Sequence, residues 1–245
     1  MKLQRLLSLT RQAVDAYGMI DDGDRIAIGV SGGKDSLALL YAMENLMKFY
    51  PKKFEICAVT VDLGYEGFDL SGIEKLCRQL SVPFQAVSTD IGKILKAREE
   101  SSPCSLCAKL RKGALNRRAL ELGCNKVAYG HHKNDFVETM MLSLIYEGRF
   151  YSFPPKTFLD RTGLTLIRPL LYVDEADIIG FSRKYQLPVC KNPCPADGYT
   201  KREYVKKVTK NLEHDNPGVR DRMFHAILNG NLPGWPGNES MEESI

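Results

Sequence analysis

Leu3, Leu6, Leu7, Val14 and Tyr17 fall near one stripe of a helix and Gly18 closes it, so residues 3 to 17 predict an amphipathic first helix. The pattern then tightens. RIAIGV at 25 to 30, FEICAVTVD ending at Asp62, FQAVS at 84 to 88, KVAYG at 126 to 130 and TLIRP at 165 to 169 are the compact apolar runs that buried strands make. Between them lie helical stretches: LALLYAMENLMKFY after Ser36, residues 70 to 80, a basic helix over 105 to 122, and 134 to 147 with Phe136, Met140 and Leu144 on one face. Strands that alternate with helices predict an α/β fold, a parallel twisted sheet with helices on both faces. Asp174 starts another helix that ends before Pro188, and residues 201 to 213 and 217 to 228 add two more. One domain over 1–245 is expected: an N-terminal helix at 1–23, an α/β core at 24–189, a cysteine turn with C-terminal helices at 190–231 and a tail at 232–245. The end of the chain, GWPGNESMEESI, has no periodicity and is expected to fray.

Composition narrows the class. With 245 residues, 44% hydrophobic and 26% charged, the chain can bury one sizeable core, and no window approaches the roughly 20 uncharged apolar residues that cross a bilayer. Arg5, Arg11 and Asp15 interrupt the first helix, so it does not read as an export signal and a cytoplasmic protein without membrane contact is expected. Net charge of +4 neither announces nor excludes nucleic acid. Seven cysteines in such a chain argue for metal or redox chemistry over a disulfide framework.

The chemistry starts at Ser31-Gly32-Gly33-Lys34-Asp35-Ser36, placed where a strand ends and a helix begins. Backbone N–H groups and the helix dipole favour phosphate there, glycines let the backbone approach it, Lys34 can neutralise it, and the Ser31 and Ser36 hydroxyls can donate. A Walker A loop needs GxxxxGK[ST], whereas Gly29 stands one residue too close to Gly33 and Asp35 replaces the Ser/Thr. Cys104 and Cys107, at i and i+3, share one face of a helix starting after Pro103. The helix terminus and nearby Lys109, Arg111 and Lys112 favour thiolates that bind metal or attack sulfur. Zinc would need two more ligands, and Cys190 with Cys194 form the other cysteine cluster. Cys57, Cys77 and Cys124 read as packing residues.

The strand-SGGKDS-helix segment resembles the PP-loop ATP pyrophosphatase superfamily, whose members cleave ATP between the α and β phosphates and adenylate a carbonyl oxygen. Asp62 and the run Gly130-His131-His132-Lys-Asn-Asp135 also resemble superfamily positions that line the nucleotide site. SGGKDSLALL, CSLCAKLRKGAL, GHHKNDFVETMMLSLIYEG, Pro154 to Lys156, IRPLLYV and the late cysteine turn followed by Lys201-Arg202 narrow the resemblance to the tRNA 2-thiocytidine biosynthesis protein family. The resemblance implies ATP and Mg²⁺ at residues 31 to 36, and an oxygen-sensitive [4Fe-4S] cluster on Cys104, Cys107 and Cys194. Three thiolates leave one iron open for a sulfide. It implies that a pyrimidine C2 oxygen of tRNA, cytidine first, is adenylated and replaced by sulfur. Lys34 would stabilise phosphate charge, Asp35 or Asp135 would place Mg²⁺ or assist proton transfer, and Arg111 would polarise the substrate. A cysteine desulfurase or free sulfide would donate sulfur, and a homodimer is implied. The late turn departs from the pattern with CxxxC in place of CxxC, so Cys190 stays open as the third ligand and the exact nucleotide stays open too; spacing to Arg202 favours Cys194.

A nucleic-acid footprint is present locally. Lys109, Arg111, Lys112, Arg117 and Arg118 stand against Glu121, and Lys201, Arg202, Lys206, Lys207 and Lys210 against Glu203, which predicts a phosphate-tracking surface on two helices. Tyr199 and Tyr204 are expected as half-buried packing residues, with base stacking as the alternative. Two other readings keep parts of this pattern: a cysteine persulfide carrier without a cluster, and a zinc-stabilised RNA-binding module.

Overall fold

A computed structural model describes residues 1–65, 67–98, 103–190 and 200–235. The chain runs α1 (Leu3–Ala16), β1 (Asp24–Gly29), α2 (Lys34–Met47), β2 (Phe54–Asp62), α3 (Ser71–Gln79), β3 (Phe84–Ser88), α4 (Ile91–Ala97), α5 (Pro103–Glu121) and β4 (Lys126–Ala128). It continues through α6 (Lys133–Glu147), β5 (Lys156–Leu159), β6 (Leu164–Ile167), α7 (Glu175–Lys184), α8 (Lys201–Asp215) and α9 (Val219–Asn229).

The strands form one sheet in the order β3-β2-β1-β4-β6-β5, every neighbouring pair parallel except β5 and β6. Alternation along a strand sends successive side chains to opposite faces. Ile26 and Ile28 of β1 therefore join a large core with Leu37 and Leu40 of α2 and Phe136 of α6, while Ala27 joins a smaller one with Leu115 and Ala119 of α5. In that smaller core the Cys57 and Cys124 sulfurs face each other at 3.5 Å, both buried. Among the described residues no helix is long and apolar enough to cross a membrane.

The expected α/β fold with its parallel sheet is present, and one edge adds to it: β5 pairs antiparallel with β6 across a short turn, and its KTFL run, with Phe158 60% exposed, carries no buried signature. Other expectations are corrected. The seven-residue α4 is too short to show a period. Leu144 is exposed, because eight residues past Phe136 a helix has turned about 80° off that side chain. Leu232 and Trp235 do not belong to a frayed tail. Trp235 is buried, meets Tyr17 and Phe136 edge-on at 6.2 and 5.7 Å, and donates from Nε1 to the Ser152 carbonyl at 3.4 Å. One indole supplies enough apolar surface to dock a segment that lacks periodicity. The remaining tail, 236–245, lies outside the described residues.

Candidate active site

β2 and β3 lie to one side of β1, and β4, β6 and β5 to the other, so strand order reverses beside β1, where open sheets bind ligands. There the chain leaves β1 through Val30, whose carbonyl accepts from the Thr60 hydroxyl at 2.7 Å, and turns into α2. Gly32 takes φ +81, a left-handed conformation, and a Cβ on it would stand 3.0 Å from the Cys190 Cβ. Ser36 staples the loop: its Oγ accepts from the Ser31 N–H at 3.1 Å and donates to the Gly33 carbonyl at 3.0 Å. Gly130, after β4, is pressed onto the first turn of α2, since a Cβ there would meet the Asp35 carbonyl at 2.9 Å. The loop thus presents a helix N-terminus at the carboxyl edge of the sheet.

A cavity of about 430 Å³ opens beside it, within the range of small-molecule sites. Ser31, Asp35 and Ser36 form one end, Tyr129, His131 and Arg168 another, and Arg111, Lys112 and Leu115 of α5 close a side. A smaller hollow of about 160 Å³ shares Ser31 and Arg111 and is bordered by Gly33, Asp62, Leu63 and Cys190. Cys190 is tied to the loop, its N–H donating to the Gly32 carbonyl at 2.9 Å.

The far end of the larger cavity is cationic. Arg168 follows β6 and is 7% exposed; its Nε donates to His131 Nδ1 at 3.3 Å, Nη1 donates to the Pro154 carbonyl, and the guanidinium lies 4.6 Å over the Phe153 ring. Burial lowers its pKa to about 10. His131 is enclosed between the Tyr129 and Phe153 rings, and burial takes it down to about 3, so it is neutral and accepts from Arg168. Burial raises Tyr129 to about 12, and its buried hydroxyl has no hydrogen-bond partner among the described residues. Burial and the adjacent Arg168 lower the Lys112 pKa.

Behind the loop lies a network of opposite charges. The Lys34 ammonium is 3.0 Å from Asp35 and 3.0 Å from Glu175, and Glu175 also accepts from Lys206 of α8 at 2.7 Å. Burial works to raise the Glu175 carboxyl, but the hydrogen bonds and charges of Lys206 and Lys34 outweigh it and hold it at about 2. Asn134 Oδ1 accepts the Glu175 N–H at 2.9 Å, so the motif after β4 fixes the start of α7 as well. Buried His132 stands 3.6 Å from both Asp35 and Asp135. Burial would raise the Asp135 carboxyl, yet the two histidines, the His132 N–H and Arg202 lower it. Arg202 also reaches Glu138 at 3.3 Å, where burial and Asp135 raise the carboxyl. Asp35 Oδ1 is buried without a hydrogen-bond partner and stands 3.6 Å from His132 Nε2, and Asp35 lines the cavity, so its carboxylate suits a divalent cation.

Cys104 and Cys107 occupy the first turn of α5, exposed and partly exposed. Ala108, Arg111 and Leu115 line the cavity, and stepping back four residues from Ala108 and from Arg111 reaches Cys104 and Cys107. The thiols therefore continue the cavity-facing stripe at its mouth. Among the described residues no three Cys, His, Asp or Glu side chains gather as a metal site, and Cys194 and Tyr199 lie outside them.

The structure thus brings Ser31, Asp35, Ser36, Gly130, His131 and Arg111 to one cavity, and Gly33 and Asp62 to the adjoining hollow. Lys34 and Asp135 line neither and sit in the network behind. The expected basic surface is thinner than its count: Arg202 and Lys206 point inward to carboxylates, and Arg118 is held by Glu121 and Gln85. Tyr204 is 56% exposed rather than packed. Sequence reasoning assigned no role to Arg168, Tyr129 or Glu175, and placed His132 only within a run that resembles nucleotide-site positions, whereas it lies behind the loop between Asp35 and Asp135. Arg168 stood within IRPLLYV, and a single arginine inside an apolar run was the signal available.

The chain matches the PP-loop domain family model ATP_bind_3 over residues 4–212. The tRNA-cytidine(32) 2-sulfurtransferase of Geobacter sulfurreducens is 40% identical over 232 residues, 93% of this chain and 90% of that protein. The protein of the same name from Geotalea uraniireducens is 40% identical over 229 residues, 92% of this chain and 91% of its own. Among solved structures, the U34-tRNA thiolase NcsA from Methanococcus maripaludis with its [4Fe-4S] cluster is similar with TM-score 0.73 and 26% identity, over 97% of this chain and 78% of that one. An NH3-dependent NAD synthetase from Campylobacter jejuni shares the fold, with TM-score 0.52 and 14% identity over 91% of this chain and 92% of its own.

Proposed function

The chain belongs to the PP-loop family, in its tRNA 2-thiocytidine biosynthesis branch, and from that membership we propose that it is an ATP-dependent tRNA sulfurtransferase acting on C2 of cytidine at position 32, the position in its relatives' names. One observation carries the reading: a single cavity is bordered by the phosphate loop and by the helix face that ends in Cys104 and Cys107. ATP phosphates sit on the N–H groups of residues 31 to 36, and the incoming charge draws Lys34 away from Glu175. The Asp35 carboxylate would hold the accompanying Mg²⁺. The cytosine O2 attacks the α phosphorus, pyrophosphate leaves, and the C2–O bond becomes one that can break with AMP as leaving group. Arg111, shared by both hollows, lies where adenylate and base meet. Cys104, Cys107 and Cys194 would hold a [4Fe-4S] cluster, which would supply the sulfur that replaces the oxygen. Two thiols one turn apart at a helix start suit two of its ligands, and the tie of Cys190 to Gly32 favours Cys194 as the third.

Protein purified without oxygen is expected to carry about four irons with matching sulfide, lost in Cys194→Ala and kept in Cys190→Ala. About one zinc per chain, or no metal, overturns the cluster part of the reading in favour of a structural zinc site or a persulfide carrier.

A further inference from the structure

A buried charge is costly unless something answers it. Arg168 is 7% exposed, and no carboxylate among the described residues reaches it. A guanidinium carries five N–H donors in one plane. Nε is used by His131 and one Nη1 hydrogen by the Pro154 carbonyl, so the second Nη1 hydrogen and both on Nη2 have no described acceptor in the protein. Phe153 fixes the plane of the group, and the residue lines the larger cavity. Tyr129 adds a second buried donor without a partner on the same wall. His131 cannot answer them, since its Nδ1 lone pair is already taken. Val59, Leu115 and Leu166 give the cavity apolar walls, beside which Arg111 and Lys112 also stand. The pocket therefore suits a flat, apolar-faced ligand with two neighbouring acceptors on its edge, and the phosphate loop borders the same space.

Resting on the tRNA sulfurtransferase reading, we propose that Arg168 is the specificity-determining residue for the target base, pairing its forked donors with O2 and N3 of cytosine and rejecting uracil. Cytosine presents O2 and N3 as adjacent acceptors, whereas uracil carries a hydrogen on N3. A group with donors only satisfies the first edge and sets N–H against N–H at the second. The pairing uses one O2 lone pair and leaves the other for phosphorus. Asparagine or glutamine, each with one donor and one acceptor, would not discriminate in this direction.

The test follows tRNA-stimulated release of pyrophosphate from ATP, with transcripts that differ only by C or U at position 32. Wild-type protein is expected to prefer C by roughly 5- to 150-fold, the worth of one bidentate contact. Arg168→Gln offers the donor–acceptor pair that matches uracil and is expected to lower the C/U ratio at least about tenfold; Arg168→Lys, one donor point, is expected to bring it near unity. ATP affinity, measured by calorimetry with a non-cleavable analogue, stays within about twofold in both. A transcript with 3-deazacytidine at position 32, which lacks the N3 acceptor, loses the advantage with wild-type protein and so tests the contact without altering the fold. Equal use of cytidine and 3-deazacytidine, or an unchanged C/U ratio in both variants, overturns the assignment. Variants that lose ATP affinity and keep base preference assign Arg168 to the nucleotide instead. Wild-type protein that releases no pyrophosphate with either transcript overturns the adenylation reading and this inference with it.

Discussion

Asp35 and Glu175 already hold the charge of Lys34, so under the proposed function a phosphate must compete with both for it. Lys34→Ala is expected to raise the KM for ATP roughly 10- to 100-fold, the scale of one charge-assisted hydrogen bond; unchanged ATP-dependent base modification in that variant overturns the phosphate role. His131 makes a second prediction. Its folded pKa of about 3 lies below the ordinary 6.5, so between those values the unfolded chain takes a proton that the folded chain refuses. Stability is therefore full above about pH 6.5 and falls at up to about 1.4 kcal/mol per pH unit as pH drops towards 3. Urea unfolding at several pH values should show a shallower acid loss in His131→Gln, which keeps an acceptor for Arg168. The phosphate loop was legible because six consecutive residues carry it. Arg168, Tyr129 and Glu175 were not, since their meaning lies in His131, Pro154, Lys34 and Lys206, partners supplied by distant segments.

At the scale of elements, buried parallel strands were the clearest signal, because both their faces are covered and they read as unbroken apolar runs. β5 and α4 escaped for the opposite reason, being short and partly exposed. The C-terminal segment shows what one side chain can decide. Trp235→Ala is expected to cost about 3–5 kcal/mol in chemical unfolding, as for other buried aromatic truncations. It is the sole tryptophan, so wild-type emission should shift to the red in step with the loss of helical signal. An emission maximum already at the solvent-exposed value in native buffer would contradict its packing on Tyr17 and Phe136.

Over the whole molecule, charge is divided between an inward set and an outward set. Arg202 and Lys206 of α8 face carboxylates of the site, whereas Lys207 and Lys210 on the same helix are exposed. Lys207→Ala and Lys210→Ala are each expected to weaken tRNA binding and to reduce the slope of log affinity against log salt by about one or slightly less. A slope unchanged in the double variant would remove α8 from the RNA-binding surface. The sequence count of basic residues could not make this division, because i, i+4 spacing shows which residues share a helix face but not which face meets a partner. The Cys57–Cys124 pair has a further use. Both sulfurs lie against the sheet beneath Leu115 and Ala119 of α5, so a thiol reagent reaches them only when that helix lifts. With Cys77, the other buried thiol, replaced by alanine, the slow phase of labelling is thus a clock, and its rate tells how often the helix that bears Cys104 and Cys107 lets go of the protein.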